Sequence, residues 1–224
     1  MKRATRMIGF FYFCPEITPK SMIVYLIRHT AVGVPRGICY GQTDVPLAAT
    51  FAGEATLVRE QLAGIAFDRV FTSPLNRCRR LAAFCGFPDA QTDDRLKEVN
   101  FGQWEMCSYN DLYTNDPRFS LWCDDYIRQR PPGGETMEEV LARFDSFLNE
   151  RLRGQSWGHV ALFCHGGLLS LAEGRRVGGA CIATPLTMFP YGHVLRMQWQ
   201  ELQPPAHTRF ILPPDDPAEW ATDA

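Results

Sequence analysis

Lysine is nearly absent from this chain. Of its 23 basic side chains only Lys2, Lys20 and Lys97 are lysines, so any internal anion site must be built from arginine and histidine. Net charge is also small: 23 basic against 25 acidic residues leave −2, which gives no bulk attraction to nucleic acid. Long apolar runs are missing too. The stretch Met7 to Cys14 is far short of the ~18 residues a membrane helix needs, so no membrane association is expected. Lys2, Arg3 and Arg6 ahead of it give the outline of a signal peptide, but the run is short and no A-x-A-like site follows. Finally, no C-x-x-C pair occurs among the eight cysteines, which argues against a zinc ribbon, a redox motif or a regular disulfide framework. Reduced thiols in a cytoplasmic protein are the simplest expectation.

The remainder is that of an ordinary globular domain, with 46% hydrophobic and 21% charged residues over 224 positions. Met22 opens a better fold element than Met1 does. Residues 1–21 are therefore expected to be an N-terminal extension outside the fold, and 22–224 a single domain. The run Met22 to Ile27 reads as a strand buried on both faces. Thr50 is a candidate N-cap for a helix to Gly64. Arg69 to Thr72 is a second strand, with Ser73 as N-cap and Pro74 as first helical residue of a helix to about Cys85.

After the breaker Pro131-Pro132-Gly133-Gly134, Thr136 and Glu139 form a T-x-x-E capping box. Apolar residues from Met137 to Leu152 then follow at helical spacing. His159 to Cys164 is a third buried strand, Leu168 to Val177 a helix, and His193 to Trp199 a fourth strand. The stretch 105–131 is aromatic and irregular, as suits a lid-like insertion. The alternation predicts an α/β three-layer sandwich with a largely parallel central sheet and helices on both faces. Such sheets bind ligands at the carboxyl ends of their strands.

Two of the three best strands end in histidine: Arg28-His29 after the first, and His165-Gly166-Gly167 after the third. Either alone is most simply an ordinary strand terminus. A third element, the helix starting at Ser73-Pro74-Leu75-Asn76-Arg77, adds Arg77 near a helix N-terminus, where anions are favoured. Two arginines and two histidines with almost no lysine suit a phosphate, because guanidinium forks match phosphate oxygens. Transfer of a phosphoryl group also needs a proton donor for the leaving oxygen. Glu98 is the candidate, and Glu105 its competitor.

Four segments in order, LIRHT at 26–30, TSPLNRCRRLA at 72–82, LKEVNFGQWE at 96–105 and FCHGGLL at 163–169, resemble the histidine phosphatase (phosphoglycerate mutase-like) superfamily. They span about two thirds of the chain. The resemblance implies a phosphoglycerate mutase-like fold with His29 as the nucleophile that forms a phosphohistidine. Arg28, Arg77 and His165 would cradle the phosphoryl group, and Glu98 would act as general acid and then as base for water, with no metal and no cofactor. Thr30 departs from the family's usual glycine, the asparagine common a few residues later is absent, and the next helix lacks the usual threonine and glycine signature. The loop Gly37 to Leu47 looks like that of the α-ribazole phosphatase subgroup, enzymes of cobalamin synthesis. It makes Gln42 and Thr43 binding candidates, with turn chemistry as their alternative role. Tyr40 offers a ring for an aromatic base or for core packing, and Gly166 joins the binding candidates beside His165.

The expected partner is a small-molecule phosphate ester, and the sequence leaves room for a homodimer. Within the fold the rival is a broad-specificity sugar or small-molecule phosphatase, followed by a phosphoglycerate mutase or an inactive phospho-ligand binder. From another class, a zinc enzyme would use Cys164, His165 and His159, whose spacing matches no familiar ligand set. Trp122 and Tyr126 are the candidates for lid residues that recognise the alcohol half of the substrate.

Overall fold

A computed structural model describes residues 22–176, 181–182, 189–203 and 210–211. The extension at 1–21, Val177 and the tail beyond 211 lie outside the described residues. The main sheet contains β1 (Ile23–Arg28), β2 (Arg69–Thr72), β3 (Gln91–Thr92), β4 (His159–Cys164) and β6 (Val194–Gln198), in the order β3-β2-β4-β1-β6. All neighbours are parallel except β6, which runs antiparallel on the edge. A separate pair joins β5 (Cys181–Ile182) to β7 (Phe210–Ile211).

Alternate residues of the central strands feed different cores, as the pleat requires. Val24, Leu26, Val160 and Leu162 pack with Phe144, Phe147, Leu168 and Leu169, which lie on α5 (Met137–Phe147) and α6 (Gly166–Arg176). Tyr25, Ile27, Ala161 and Phe163 pack with Ala55, Val58, Cys78 and Leu81, from α1 (Phe51–Gln61) and α2 (Asn76–Phe84). This is the expected three-layer sandwich. The capping box at Thr136 and Glu139 forms in full, and α5 continues into a widened turn over Leu148–Leu152.

Three local expectations need correcting. Ser73 and Pro74 do not begin α2; Leu75 holds the N-cap position, and the Asn76 N–H is received by the carboxylate of Asp44, 2.9 Å away. The Ser73 hydroxyl is engaged with His165 and with the Leu75 N–H. Thr50 occupies the N-cap position of α1 in helical conformation, and its hydroxyl donates to Glu54 instead of accepting a backbone N–H. The insertion is not irregular: it folds into α3 (Tyr109–Asn115) and α4 (Pro117–Asp124), capped by Ser108 and Asp116. Trp122 and Tyr126 pack there with Phe101, Trp104, Phe119 and Ile127, buried in a core that the insertion shares with α5 and α6. Among the described residues no helix is long and apolar enough to cross a membrane.

Candidate active site

Strand register assembles the site. Arg28 pairs with Cys164 and Thr72 with Phe163, so the next residues along, His29, His165 and Ser73, emerge side by side at one sheet edge. The His29 N–H donates to the Cys164 carbonyl at 3.1 Å and the Ser73 N–H to the Phe163 carbonyl at 2.8 Å, which carries the ladders one step beyond the strands. The two imidazole centroids are 5.2 Å apart.

The His29 ring is 2% exposed, and its Nδ1 lies 2.7 Å from the Thr30 carbonyl. A carbonyl only accepts, so Nδ1 carries the hydrogen and Nε2 keeps its lone pair. Burial first, then the charges of Arg77 and Arg28, hold the His29 pKa well below 6.5 against the opposing Thr30 bond. A neutral nucleophilic nitrogen is the result. His165 is treated alike: burial, Arg77 and His29 push its pKa down. Arg77 Nε donates to His165 Nδ1 at 3.3 Å, which leaves Nε2–H to donate to the Ser73 hydroxyl at 2.8 Å. The Cys78 thiol, 3.5 Å from His165 Nε2, is pushed up to about 12 by its burial and stays protonated.

Arg77 is wholly buried, unlike its exposed neighbours Arg79 and Arg80. Its other nitrogens donate to the carbonyls of Thr43, at 3.0 Å, and Gly41. Those carbonyls belong to a loop that Glu105 organises. One carboxylate receives the backbone N–H groups of Gly41, Gln42, Thr43 and Phe101 within 3.1 Å. Burial raises its pKa, yet these hydrogen bonds pull it below the usual carboxylate value. Glu105 is therefore an ionised loop anchor, which removes it as competitor for the proton-donor role. Gly41 tolerates no side chain, because a Cβ there would stand 1.8 Å from the Val99 carbonyl oxygen.

Glu98, the other carboxylate, is 9% exposed and reaches the start of α6, where Oε2 accepts the Gly167 N–H at 3.1 Å and Oε1 the Val99 N–H. A Cβ at Gly167 would fall 2.3 Å from Oε1. Gly166, whose binding role the sequence suggested, forms the first residue of α6 beside it. The backbone of Glu98 is fixed by Gln42 and by Arg143, which no sequence pattern singled out. Arg143 donates to the carbonyls of Arg95, Lys97 and Glu98 and pairs with Glu135, 3.0 Å away. Gln42 donates its amide to the Glu98 carbonyl and to Glu135. Gln42 and Thr43 make turn and loop contacts that hold the scaffold.

Arg28 completes the group. One guanidinium nitrogen donates to the Phe189 carbonyl, while Nε has no hydrogen-bond partner among the described atoms. Its guanidinium lies 4.2 Å from the Tyr191 ring centroid. Tyr40 sits similarly near Arg77, 5.5 Å away, and its hydroxyl bonds that of Tyr191 at 2.7 Å. Tyr191 carries no signal in the sequence, because only the pairing of β6 with β1 brings it to His29. The zinc alternative fails on geometry. His159 starts β4 and Cys164 ends it, about 17 Å apart at the usual strand rise, and His159 Nδ1 is instead bonded to Tyr25.

Comparison with known proteins points the same way. The chain is 30% identical over 164 residues to the adenosylcobalamin/alpha-ribazole phosphatase of Escherichia coli K12, covering 70% of this chain and 80% of that one. The crystal structure of the alpha-ribazole phosphatase from Shigella flexneri superposes with a TM-score of 0.65 at 28% identity, over 70% of this chain and 80% of its own. That of a Thermus thermophilus protein, TTHB049, gives 0.63 at 29%, over 80% and 94%. Residues 24–204 match the family profile, and the chain belongs to the histidine phosphatase superfamily, branch 1.

Proposed function

We propose that this protein hydrolyses phosphomonoesters through a phosphohistidine on His29, with α-ribazole 5′-phosphate or adenosylcobalamin 5′-phosphate as substrate. The observation that carries this reading is the His29 ring, whose Nδ1 is fixed by the Thr30 carbonyl so that Nε2 keeps its lone pair. Nε2 attacks phosphorus, and the P–O bond to the alcohol breaks as Glu98 delivers a proton to the leaving oxygen. Arg28 and Arg77 offset charge on the equatorial oxygens, and neutral His165 lines the site beside them. The Glu98 carboxylate then takes a proton from water, the oxygen attacks phosphorus, and the P–N bond breaks to release inorganic phosphate and neutral His29. The products are one alcohol and one phosphate for each ester and water consumed. The cobalamin assignment draws on the loop Gly37 to Leu47 and on the phosphatase relatives at about 30% identity.

The test is kcat/KM on α-ribazole 5′-phosphate beside sugar phosphates and 3-phosphoglycerate, in EDTA. A preference of several orders of magnitude for the ribazole ester is expected. Flat hydrolysis across the panel would replace it with a broad-specificity phosphatase, and transfer without release of phosphate would indicate a mutase. His29→Ala should abolish turnover, and Glu98→Gln should slow alkyl esters far more than aryl esters, whose leaving groups need less protonation. Full activity in His29→Ala would remove the nucleophile.

A further inference from the structure

The phosphate cradle is closed on most sides. Arg28, Thr30, Arg77 and His165 are buried, as is Glu98. The His29 ring meets the buried His165 and Thr30 and, with centroids 5.6 Å apart, Tyr191, which is 40% exposed. An alcohol attached to a phosphoryl group on His29 therefore leaves the cradle past this ring. The ring is also held in place. The neighbouring Gly192, at φ +71°, donates its N–H to the His29 carbonyl at 3.1 Å, and a Cβ there would press on Val58 at 3.0 Å. Arg28 packs over one face of the tyrosine and the Tyr40 hydroxyl ties its far end.

We infer that Tyr191 is a specificity-determining residue: the wall against which the alcohol half of the phosphomonoester lies, selecting alcohols that carry a flat ring close to the phosphate. The inference rests on the hydrolytic reading above and adds to it. With one ring face against Arg28, the exposed remainder is an apolar surface that stacks on a planar group and gives a short aliphatic alcohol little. Tyr40 is the brace that sets the ring's angle.

Benzyl phosphate and ethyl phosphate provide the test, because both leave as primary alkoxides and differ in the ring. Tyr191→Ala should lower kcat/KM on benzyl phosphate about tenfold more than on ethyl phosphate, over and above any loss that the two esters share through Arg28. Tyr191→Phe, which keeps the ring and loses the hydroxyl, should retain most of the discrimination. Equal losses on both esters would overturn the wall and leave the ring only as a support for Arg28. Calorimetric binding of the same esters to His29→Ala, with and without Tyr191→Ala, separates this from the chemistry. Selective loss of benzyl phosphate binding, in a wild type that turns over neither ester, would keep the wall and overturn hydrolysis. Unchanged relative binding in the double variant would overturn the wall alone.

Discussion

His29 and His165 stay neutral because charging either would place a cation in a buried site already holding two arginines. That has a consequence for stability. Both pKa values are depressed in the folded state relative to 6.5, so the unfolded chain binds more protons below that pH. Their contribution is complete above 6.5 and is lost as pH falls below it, at about 1.4 kcal/mol per pH unit for each ring. In 15N NMR spectra, the ring nitrogens of both residues should show no titration as pH is lowered from 8 through 6.5. Fully neutral rings in the folded protein should coincide with a urea midpoint that falls as the pH is lowered below 6.5. A midpoint of titration near 6.5 for His29 would mean that the cradle is hydrated and that about a quarter of the nucleophile is protonated at pH 7.

At the scale of elements, the site depends on a loop that one carboxylate folds. Glu105 fixes the backbone of Gly41 to Thr43, and those carbonyls hold Arg77. Glu105→Gln places an amide NH2 against two of the four backbone donors and should cost about 1–3 kcal/mol of stability. It should also weaken competitive inhibition by inorganic phosphate, about tenfold, through misplaced Arg77. A loss of stability with unchanged phosphate inhibition would show that Arg77 is positioned without this loop. Much of the framework is legible in the sequence. The continuous runs ending in Arg28 and Cys164 point to buried parallel strands, and T-x-x-E at Thr136 locates α5. Other features depend on contacts far away in the chain. The start of α2 escapes a local reading because its cap comes from Asp44, beyond any nearby pattern. The two insertion helices are only 7 and 8 residues long, too short for their periodicity to stand out among aromatics. Arg143 reads as one more polar position on an amphipathic helix, because nothing local marks the three carbonyls it binds.

Across the whole molecule, the insertion's aromatic core is joined to the sheet by helices that serve both. Met137, Val140 and Leu141 of α5 pack into the insertion while Phe144 and Phe147 pack on the sheet. In α6, Leu171 joins the first group while Leu168, Leu169 and Ala172 join the second. A rigid helix with both faces committed transmits loss of packing from one core to the other. Trp104, just ahead of the insertion, lies in its aromatic core, buried edge-on against Phe119 and Trp122 with its indole N–H donating to Asp116 at 2.9 Å. Trp104→Ala should cost about 3–5 kcal/mol, a large part of the 5–15 kcal/mol that typically holds a domain together. Because α5 and α6 bridge the cores, the loss should appear as one earlier transition, with tryptophan fluorescence and far-ultraviolet circular dichroism coinciding. Two separated transitions would instead make the insertion an independent unit. The anchor at Glu105, adjacent in sequence to Trp104, would then fail before the sheet does, and phosphate binding would be lost ahead of the fold.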